Sequence, residues 1–333
     1  MHLSVSLSIV LLMWPAAGAA TKEKPAAPPK AGVKTPGVQI PFANLKSEAQ
    51  IAVAGLSGAP VMTMMAFAPQ KGTGALQRID AKTNKPGEAI SGLDQPCGQM
   101  ISAFRSLWVP GCGKKGLQRV DARAGKVSAT VQTGLAGEGA VVAANEDSLW
   151  VLADARTNLM RIDPEGNQVV SEVRLPAGCS AVLSAESAVW IACPQQGKVL
   201  RLDPKTEVIT NRIETAAGPV ALASGAGSIW VLCKNEGKIS RIDPKTNKVS
   251  ATVETGVPNA EGSLEFGEGS VWASVPGFPV MRINPETDKV VQQFTGEGGG
   301  LMRFGLGSIW LADVKGGQLL RFDPKRIVAT LAE

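Results

Sequence analysis

The sequence predicts an all-β protein, a seven-bladed β-propeller of four-stranded antiparallel blades that follows a signal peptide and a disordered linker. Three observations support this fold class. A unit of about forty residues occurs seven times in the 333-residue chain. Each unit contains four short runs of strand-forming residues separated by turn residues, and no long amphipathic helical pattern is present. A fixed period near forty with four strands per period is typical of a propeller.

The amino terminus has the pattern of a secretory signal. Residues 3–13, LSVSLSIVLLM, form a largely apolar run, and small residues follow at 16–20. The run is too short to span a bilayer as a helix, and an apolar run that leads into an Ala-x-Ala-like site is typical of a cleaved signal. We therefore expect residues 1–20 to be a signal peptide and the protein to be secreted or periplasmic. The alternative for this run is a buried strand.

Residues 21–36, TKEKPAAPPKAGVKTP, are predicted to be a disordered linker, because proline, alanine and lysine bury too little apolar surface to offset the cost of ordering. This segment carries +3 of the total formal charge of +5, which leaves only +2 for the predicted propeller at 37–333. The sequence shows no dense basic stripe, and this argues against nucleic acid as a partner.

Three positions define the repeat. An aromatic residue recurs every 38 to 42 residues, at Phe67, Trp108, Trp150, Trp190, Trp230, Trp272 and Trp310. A turn residue follows 12 or 13 positions later, at Asp80, Asp121, Asp163, Asp203, Asp243, Asn284 and Asp323. An arginine stands two positions before each turn residue, at Arg78, Arg119, Arg161, Arg201, Arg241, Arg282 and Arg321.

The fifth unit shows how the four strands divide. We expect strand A at 220–224, strand B at 229–233, strand C at 238–242 and strand D at 249–254. The apolar inner strands indicate that both faces of each sheet pack on neighbouring blades, with the tryptophan filling the space between two blades. The turn aspartate is expected to accept hydrogen bonds from backbone N–H groups of its own turn. For the arginines we expect local pairing, and the alternative is a sevenfold anion-binding ring.

The sequence leaves two ways to close the ring. Residues 45–53, near the start, and residues 327–331, at the end, both have the pattern of an outer strand D. One of them is expected to complete the last blade, and the other to form an extra edge strand.

Two disulfides are predicted from hairpin geometry. A hairpin that turns at residues 104–105 places Cys97 opposite Cys112, and a hairpin centred on residue 186 places Cys179 opposite Cys193. Opposite positions of an antiparallel pair lie close enough for a disulfide, and an exported protein meets an oxidising compartment. Cys233 has a proline where its partner would stand, so we expect a free, buried thiol.

The cleanest repeat, from Trp230 to Gly256, contains W-V-L and R-I-D-P-K-T-N-K-V-S-A-T-V-E-T-G. This pattern resembles the YVTN-type and virginiamycin B lyase-like propeller family, and the similarity covers residues 45–333. The streptogramin-cleaving members of that family are metal-dependent lyases with histidines and acidic residues at the mouth of the propeller. The only histidine of this chain is His2, inside the predicted signal. The mature chain therefore offers no imidazole to match those of the lyases.

Candidate ligand-binding residues lie on the loops that join strand D to strand A and strand B to strand C. Blade 6 departs most from the repeat, since its B–C loop is one residue short and its exit is glycine-rich. Departures from local regularity are where function is expected. The candidates are Asn259, Glu261, Phe278, Glu297, Arg303, Asp154 and Asp313.

The sequence thus favours a non-catalytic exported scaffold that binds a protein or a small polar ligand through its D–A/B–C loop face. We expect no cofactor, no membrane span and a monomer. The alternative is a lyase-like enzyme that uses loop carboxylates and a divalent cation, for which Mg²⁺ or Ca²⁺ would suit the oxygen ligands.

Overall fold

A computed structural model describes residues 37–135, 140–153 and 157–330. The predicted signal peptide and linker lie outside the described residues. Seven antiparallel sheets follow one another along the chain and form the seven blades of a propeller. Within the described ranges, no helix has the length and apolar character needed to cross a bilayer.

The strand bounds follow the repeat. Two strands precede the first blade, β1 (Val38–Pro41) and β2 (Ala49–Ala52). Blade 1 contains β3 (Val61–Met62), β4 (Ala66–Gln70), β5 (Ala75–Asp80) and β6 (Lys85–Pro86). Blade 2 contains β7 (Ile101–Ala103), β8 (Ser106–Gly111), β9 (Gly116–Asp121) and β10 (Lys126–Gln132). Blade 3 contains β11 (Val142–Ala144), β12 (Leu149–Ala153), β13 (Asn158–Asp163) and β14 (Gln168–Arg174). Blade 4 contains β15 (Ala181–Ala185), β16 (Ala188–Cys193), β17 (Lys198–Asp203) and β18 (Val208–Glu214).

The remaining blades have the same plan. Blade 5 contains β19 (Pro219–Gly225), β20 (Ser228–Cys233), β21 (Lys238–Asp243) and β22 (Lys248–Glu254), within one residue of each predicted bound. Blade 6 contains β23 (Ser263–Gly267), β24 (Ser270–Val275), β25 (Phe278–Asn284) and β26 (Lys289–Thr295). Blade 7 contains β27 (Met302–Gly305), β28 (Ser308–Asp313) and β29 (Gln318–Phe322). A short helix, α1, spans Pro324–Ala329, and two 3₁₀ turns span Phe42–Asn44 and Pro194–Gln196.

The amino-terminal strand β2 closes the ring. It pairs antiparallel with β29, with Ala49 opposite Arg321 and Ala52 opposite Gln318. Blade 7 is therefore built from both ends of the chain, with β2 as its outer strand. A strand that the sequence did not predict, β1, pairs parallel with β26 and gives blade 6 a fifth strand.

The prediction of an outer strand at 327–331 is wrong. Residues 324–329 form α1, and residue 331 lies outside the described residues. The Asp323 side chain caps the helix by accepting from the Lys325 N–H at 2.8 Å, and Pro324 stands at the first helical position, which suits its fixed φ. The outer position of blade 7 is already filled by β2, so this segment has no strand to pair with.

Seven apolar clusters lie between successive blades. Trp150 of blade 3 packs with Val182 and Ile191 of blade 4, and Trp310 of blade 7 packs with Ala66 and Ile79 of blade 1. The six tryptophans of the repeat, together with Phe67, are at most 1 % exposed. The predicted position of the aromatic side chains between blades is confirmed. Truncating a buried aromatic of this kind typically costs about 3–5 kcal/mol.

The repeated arginines join neighbouring blades. The Arg241 guanidinium lies 5.0 Å from the ring of Trp230, in its own blade, and donates to the Pro285 carbonyl at 2.8 Å in the next. The same pairing closes the ring, because Arg321 of blade 7 donates to the Ala81 carbonyl of blade 1. Six of the seven arginines donate to the C–D turn of the following blade in this way, namely Arg78, Arg119, Arg161, Arg201, Arg241 and Arg321. The expectation of local pairing, rather than an anion-binding ring, agrees with these contacts.

Arg282 is the exception. Its Nε atom is buried without a partner among the described residues, and burial lowers the pKa of its guanidinium. In blade 7, helix α1 takes the place of the C–D turn that would have accepted a hydrogen bond from Arg282. The neighbouring Gln292, opposite Arg282 in the sheet, donates instead to the carbonyls of Ile327 at 2.9 Å and Thr330 at 2.6 Å.

The turn aspartates accept hydrogen bonds from their own turns, as predicted. Asp243 Oδ1 accepts from the Lys245 N–H at 2.8 Å, and Asp243 Oδ2 accepts from the Thr246 hydroxyl at 3.0 Å. The N–H group of Lys245 is the largest cause that holds the pKa of this carboxyl below its ordinary value.

Both predicted cysteine pairs lie at disulfide distance. The Cα atoms of Cys97 and Cys112 are 5.9 Å apart, and those of Cys179 and Cys193 are 3.9 Å apart. In blade 4 the pairing register is shifted by one residue from the predicted one, since Ala181 rather than residue 180 lies opposite Ala192. Cys233 is free and buried, and burial raises the pKa of its thiol.

The first prediction concerns the arginines. Replacing Arg241 with methionine removes the contacts to Ser228, Pro285 and Asp288 and should lower the free energy of unfolding by about 2–3 kcal/mol. The matched control is Arg282→Met, which removes a guanidinium that has no hydrogen bond among the described residues and should cost less than about 1 kcal/mol. Denaturant unfolding measures both changes, and equal losses would contradict the role given to the inter-blade contacts.

The second prediction concerns the thiols. Peptide mapping without reduction should find Cys97 linked to Cys112 and Cys179 linked to Cys193, with Cys233 alkylated only after unfolding. Replacing Cys97 and Cys112 with serine should lower the free energy of unfolding by about 3 kcal/mol, the cost expected for a loop of this length. A Cys97–Cys179 linkage would be incompatible with the hairpin geometry.

Candidate functional site

The D–A and B–C connections lie at one end of every blade, because successive strands run antiparallel. We call this end the loop face and the opposite end, formed by the A–B and C–D turns, the turn face. Each of the predicted ligand-binding residues that the structure describes belongs to the loop face or to the central channel below it. Asp154 lies outside the described residues.

The central channel holds a cavity of about 460 Å³. Its wall is formed mainly by the innermost strands of blades 4 to 7, for example residues 220–224 of β19 and 262–266 around β23. Consecutive residues line it, so much of the wall is the unpaired backbone edge of strand A. Such an edge offers N–H donors and carbonyl acceptors to a polar guest.

An ion pair lies in this channel. Arg303 Nη1 of β27 is 2.6 Å from Glu265 Oε1 of β23, and the two side chains are 23 % and 17 % exposed. The pair joins the innermost strands of blades 6 and 7. Because the two charges neutralise each other, the channel favours an uncharged polar ligand over a charged one.

The channel opens onto the loop face through a second cavity of about 440 Å³. Gly98, Gln99, Ser180, Val220 and Gly262 line both cavities, so the two are continuous. At the mouth, Lys234 forms an ion pair with Glu261, and the Lys234 carbonyl accepts from the Asn259 N–H at 2.6 Å. The predicted residues Asn259 and Glu261 are thus brought together at the mouth.

Ser180 carries an unsatisfied polar group in the wall shared by the two cavities. Its Oγ atom is buried and has no hydrogen-bond partner among the described residues. An unsatisfied hydroxyl at this depth costs stability.

A larger groove of about 920 Å³ lies on the loop face between blades 6 and 7. It has apolar walls and a charged rim. Leu301 and Val314, which line it, are 39 % and 42 % exposed. The rim residues are Glu297, Asp313 and Lys315.

The floor of the groove is a glycine-rich connection. Gly299 has φ +97, and a Cβ atom there would lie 2.2 Å from the Val275 carbonyl oxygen, so only glycine fits. Two backbone hydrogen bonds hold the connection against the B–C hairpin of blade 6, from Gly277 N to Gly298 O at 3.0 Å and from Gly296 N to Gly277 O at 3.1 Å. The absence of side chains at these glycines leaves the groove open.

The structure separates the predicted site residues into three places. Glu297 and Asp313 lie on the groove, Asn259 and Glu261 at the channel mouth, and Arg303 inside the channel. Phe278, the candidate from the B–C connection of blade 6, begins β25 and packs, partly buried, against the core between blades 5 and 6.

The aromatic side chain on the groove is Phe42, which sequence reasoning missed. It follows β1 and contacts Phe322 of blade 7, with ring centroids 5.7 Å apart. Its position depends on the parallel pairing of β1 with β26, for which the sequence has no repeat to compare. An aromatic residue directly after an edge strand was the only available signal.

Among the residues that the structure describes, no three histidine, cysteine, aspartate or glutamate side chains converge in a way that could hold a metal ion. The rim carboxylates of the groove are not part of such a group.

Solved structures share this fold. The virginiamycin B lyase from Staphylococcus aureus is similar at a TM-score of 0.67 and 15% identity, over 82% of this chain and 97% of that one. The Neurospora crassa Pan2 WD40 domain is similar at 0.66 and 13%, over 84% and 95%. BamB from Moraxella catarrhalis is similar at 0.62 and 10%, over 83% and 99%. At these identities the likeness shows the fold alone.

No protein-family model matches the chain, and no curated protein sequence matches it.

Proposed function

We propose that this β-propeller, whose fold matches that of virginiamycin B lyase, is an exported non-catalytic binding protein that takes an apolar side chain of a protein partner into the groove between blades 6 and 7. One observation carries the proposal. Only a few large apolar side chains of the described residues are well exposed, and two of them, Leu301 and Val314, line this one groove. Apolar walls inside a polar rim are the usual anatomy of a protein-binding patch.

The rim defines the partner further. Glu297 and Asp313 contribute two negative charges and Lys315 one positive charge, so the rim is net acidic. The Asp313 carboxylate accepts from the Gly316 N–H at 2.9 Å, which fixes its position. A partner segment with an apolar anchor next to a basic or uncharged residue fits this arrangement best.

The channel supports a second, smaller ligand of the same scaffold. Its ion pair is internally neutral, and much of its wall is the backbone edge of strand A. A small uncharged polar molecule is the guest that suits these groups.

Export is supported by the cysteines. Two pairs at disulfide distance fit an oxidising compartment, where such bonds persist. The partner is therefore proposed to be another exported or envelope protein.

The fold itself leaves the lyase alternative open, since its structural relatives include one named as a lyase and others, Pan2 and BamB, whose names describe no reaction. Under that alternative, Glu261, Glu297 and Asp313 would be the carboxylates available on the loop face to a divalent cation.

The third prediction tests the groove. Capture experiments from the native cell envelope should compare the mature protein with Leu301→Asp/Val314→Asp, which places two carboxylates in the apolar walls. We expect partner capture to fall at least about tenfold, because burying an apolar anchor contributes about 1.5–3 kcal/mol. The matched control is Val208→Asp, an equally exposed apolar residue at 56 % on β18, and it should capture the partner as the unchanged protein does.

Equal capture by the groove variant and the unchanged protein would overturn the groove as the binding site. Turnover of a streptogramin B in the presence of Mg²⁺ or Ca²⁺, lost on replacing Glu261 or Asp313 with alanine, would favour the lyase alternative instead.

A further inference from the structure

The turn face, opposite the proposed binding face, has an uneven charge distribution that the repeat makes easy to compare. The third residue of each C–D turn is basic in five blades: it is Lys325, Lys82 and Arg123 in blades 7, 1 and 2, and Lys205 and Lys245 in blades 4 and 5. In blades 3 and 6 the same position holds an acid, Glu165 and Glu286. The charge at this position therefore differs between blades of the same backbone, so the fold alone does not require it.

Three consecutive blades build a basic arc. Besides Lys325, Lys82 and Arg123, it contains Lys85 and Lys126 at the starts of the outer strands of blades 1 and 2. Arg105, in the A–B turn of blade 2, and Arg326, in α1, extend it. All seven side chains are exposed. Blade 7 neighbours blade 1 through ring closure, so these cations form one continuous arc.

The aspartates of this arc do not cancel its charge. They are the turn residues Asp80, Asp121 and Asp323; with Glu48 of blade 7, which pairs with Arg321, the arc has four carboxylates against seven cations. Asp80 and Asp121 each accept from two backbone N–H groups of their own turn, and these hydrogen bonds hold their pKa values low. The lysines and arginines project beyond them into solvent.

The most exposed large apolar side chain of the described residues lies in the middle of this arc. Met64, in the A–B turn of blade 1, is 91 % exposed. Its turn is held by a hydrogen bond from the Thr63 N–H to the Met65 carbonyl at 2.8 Å, so the side chain is presented on an ordered turn. An exposed apolar side chain in the middle blade of a basic arc combines the two contributions that hold a protein at an anionic bilayer.

We propose that the turn face docks, through blades 7, 1 and 2, on the surface of an anionic phospholipid bilayer. The cations contact phosphate headgroups, and Met64 enters the boundary between headgroups and acyl chains. Blade 3 carries Glu146, Asp147 and Glu165 on the same face, so the protein is tilted with that blade away from the lipid. This orientation leaves the loop face, with its groove, free for a protein partner.

A lipid surface fits these features better than a second copy of the chain. A two-fold dimer through the turn face would need an acidic arc as continuous as the basic one. The acids of this face are divided between blades 3 and 4 and blade 6, and Lys245 and Lys248 of blade 5 stand between them. A planar bilayer, in contrast, can meet all the cations of three neighbouring blades at once.

The experiment measures co-sedimentation of the mature protein with vesicles of phosphatidylcholine alone and with vesicles containing 30 mol% phosphatidylglycerol, a composition of about one third anionic lipid. We expect binding to the anionic vesicles only, weakened by salt, since the attraction acts within a Debye length. Lys82→Glu/Arg123→Glu should weaken binding about thirtyfold or more, from the loss of two basic contacts. Met64→Ser should weaken it about tenfold.

The repeat supplies the matched control. Lys245→Glu/Lys248→Glu also reverses two charges, at the positions in blade 5 that correspond to Lys82 and Lys85, outside the arc, and should leave binding unchanged within about twofold. Circular dichroism and the unfolding midpoint establish that each variant is folded.

Three outcomes would overturn the proposal. The first is equal binding to both vesicle types, and the second is an equal effect of the blade 1–2 and blade 5 variants. The third is that free glycerol phosphate at millimolar concentration displaces the protein from the vesicles, which would indicate a site for one headgroup rather than a surface. Self-association of the protein alone in sedimentation velocity, abolished by Met64→Ser, would assign the arc to a second copy instead.

Discussion

Each blade of this protein can bury its two faces only against the blades on either side, and the ring must therefore close. The seven aromatic side chains of the repeat show this constraint most directly. Each occupies the space between its own blade and the next, where it is almost completely buried. A missing neighbour would expose one aromatic residue and its cluster, so the outer strand of blade 7 is supplied from the amino terminus by β2. The inter-blade arginines also require a closed ring, because each binds the turn of the following blade.

The repeat allowed most of the fold to be predicted because its signals are local. The spacing between Trp230 and Asp243 sets the strands of blade 5, and the hairpin register brings Cys97 to Cys112. The local signals could not decide which end of the chain forms the outer strand of blade 7. Two segments have the pattern of an outer strand, but the sheet has only one free edge for them. At the carboxyl end, the sequence after Asp323 lacks the turn that precedes other outer strands, and α1 forms there. Exposure of single residues was equally hard to predict: Phe278 packs inward and Phe42 reaches the groove because of contacts between blades.

The junction of blades 6 and 7 concentrates the departures from regularity. Arg282 has no partner there among the described residues, Gln292 binds the end of α1, and β1 adds a fifth strand to blade 6. The glycine connection and the groove lie at the same junction on the loop face. The two chain ends thus meet where the surface departs from the repeated pattern. A binding groove can form at this junction without disturbing the other blades. On the turn face, single substitutions in repeated turns change the charge of a blade while the backbone stays the same.

The account depends on closure of the ring by β2, and hydrogen exchange measures this directly. Amides in a peptide covering Ala49–Ala52 should exchange as slowly as those of β22, the outer strand of blade 5, because both are paired to a strand C. Exchange of the 49–52 peptide at the rate of an unpaired chain, with β22 still protected, would contradict it. Such a result would mean that blade 7 has no outer strand from the amino terminus and that β2 does not close the ring between blades 7 and 1.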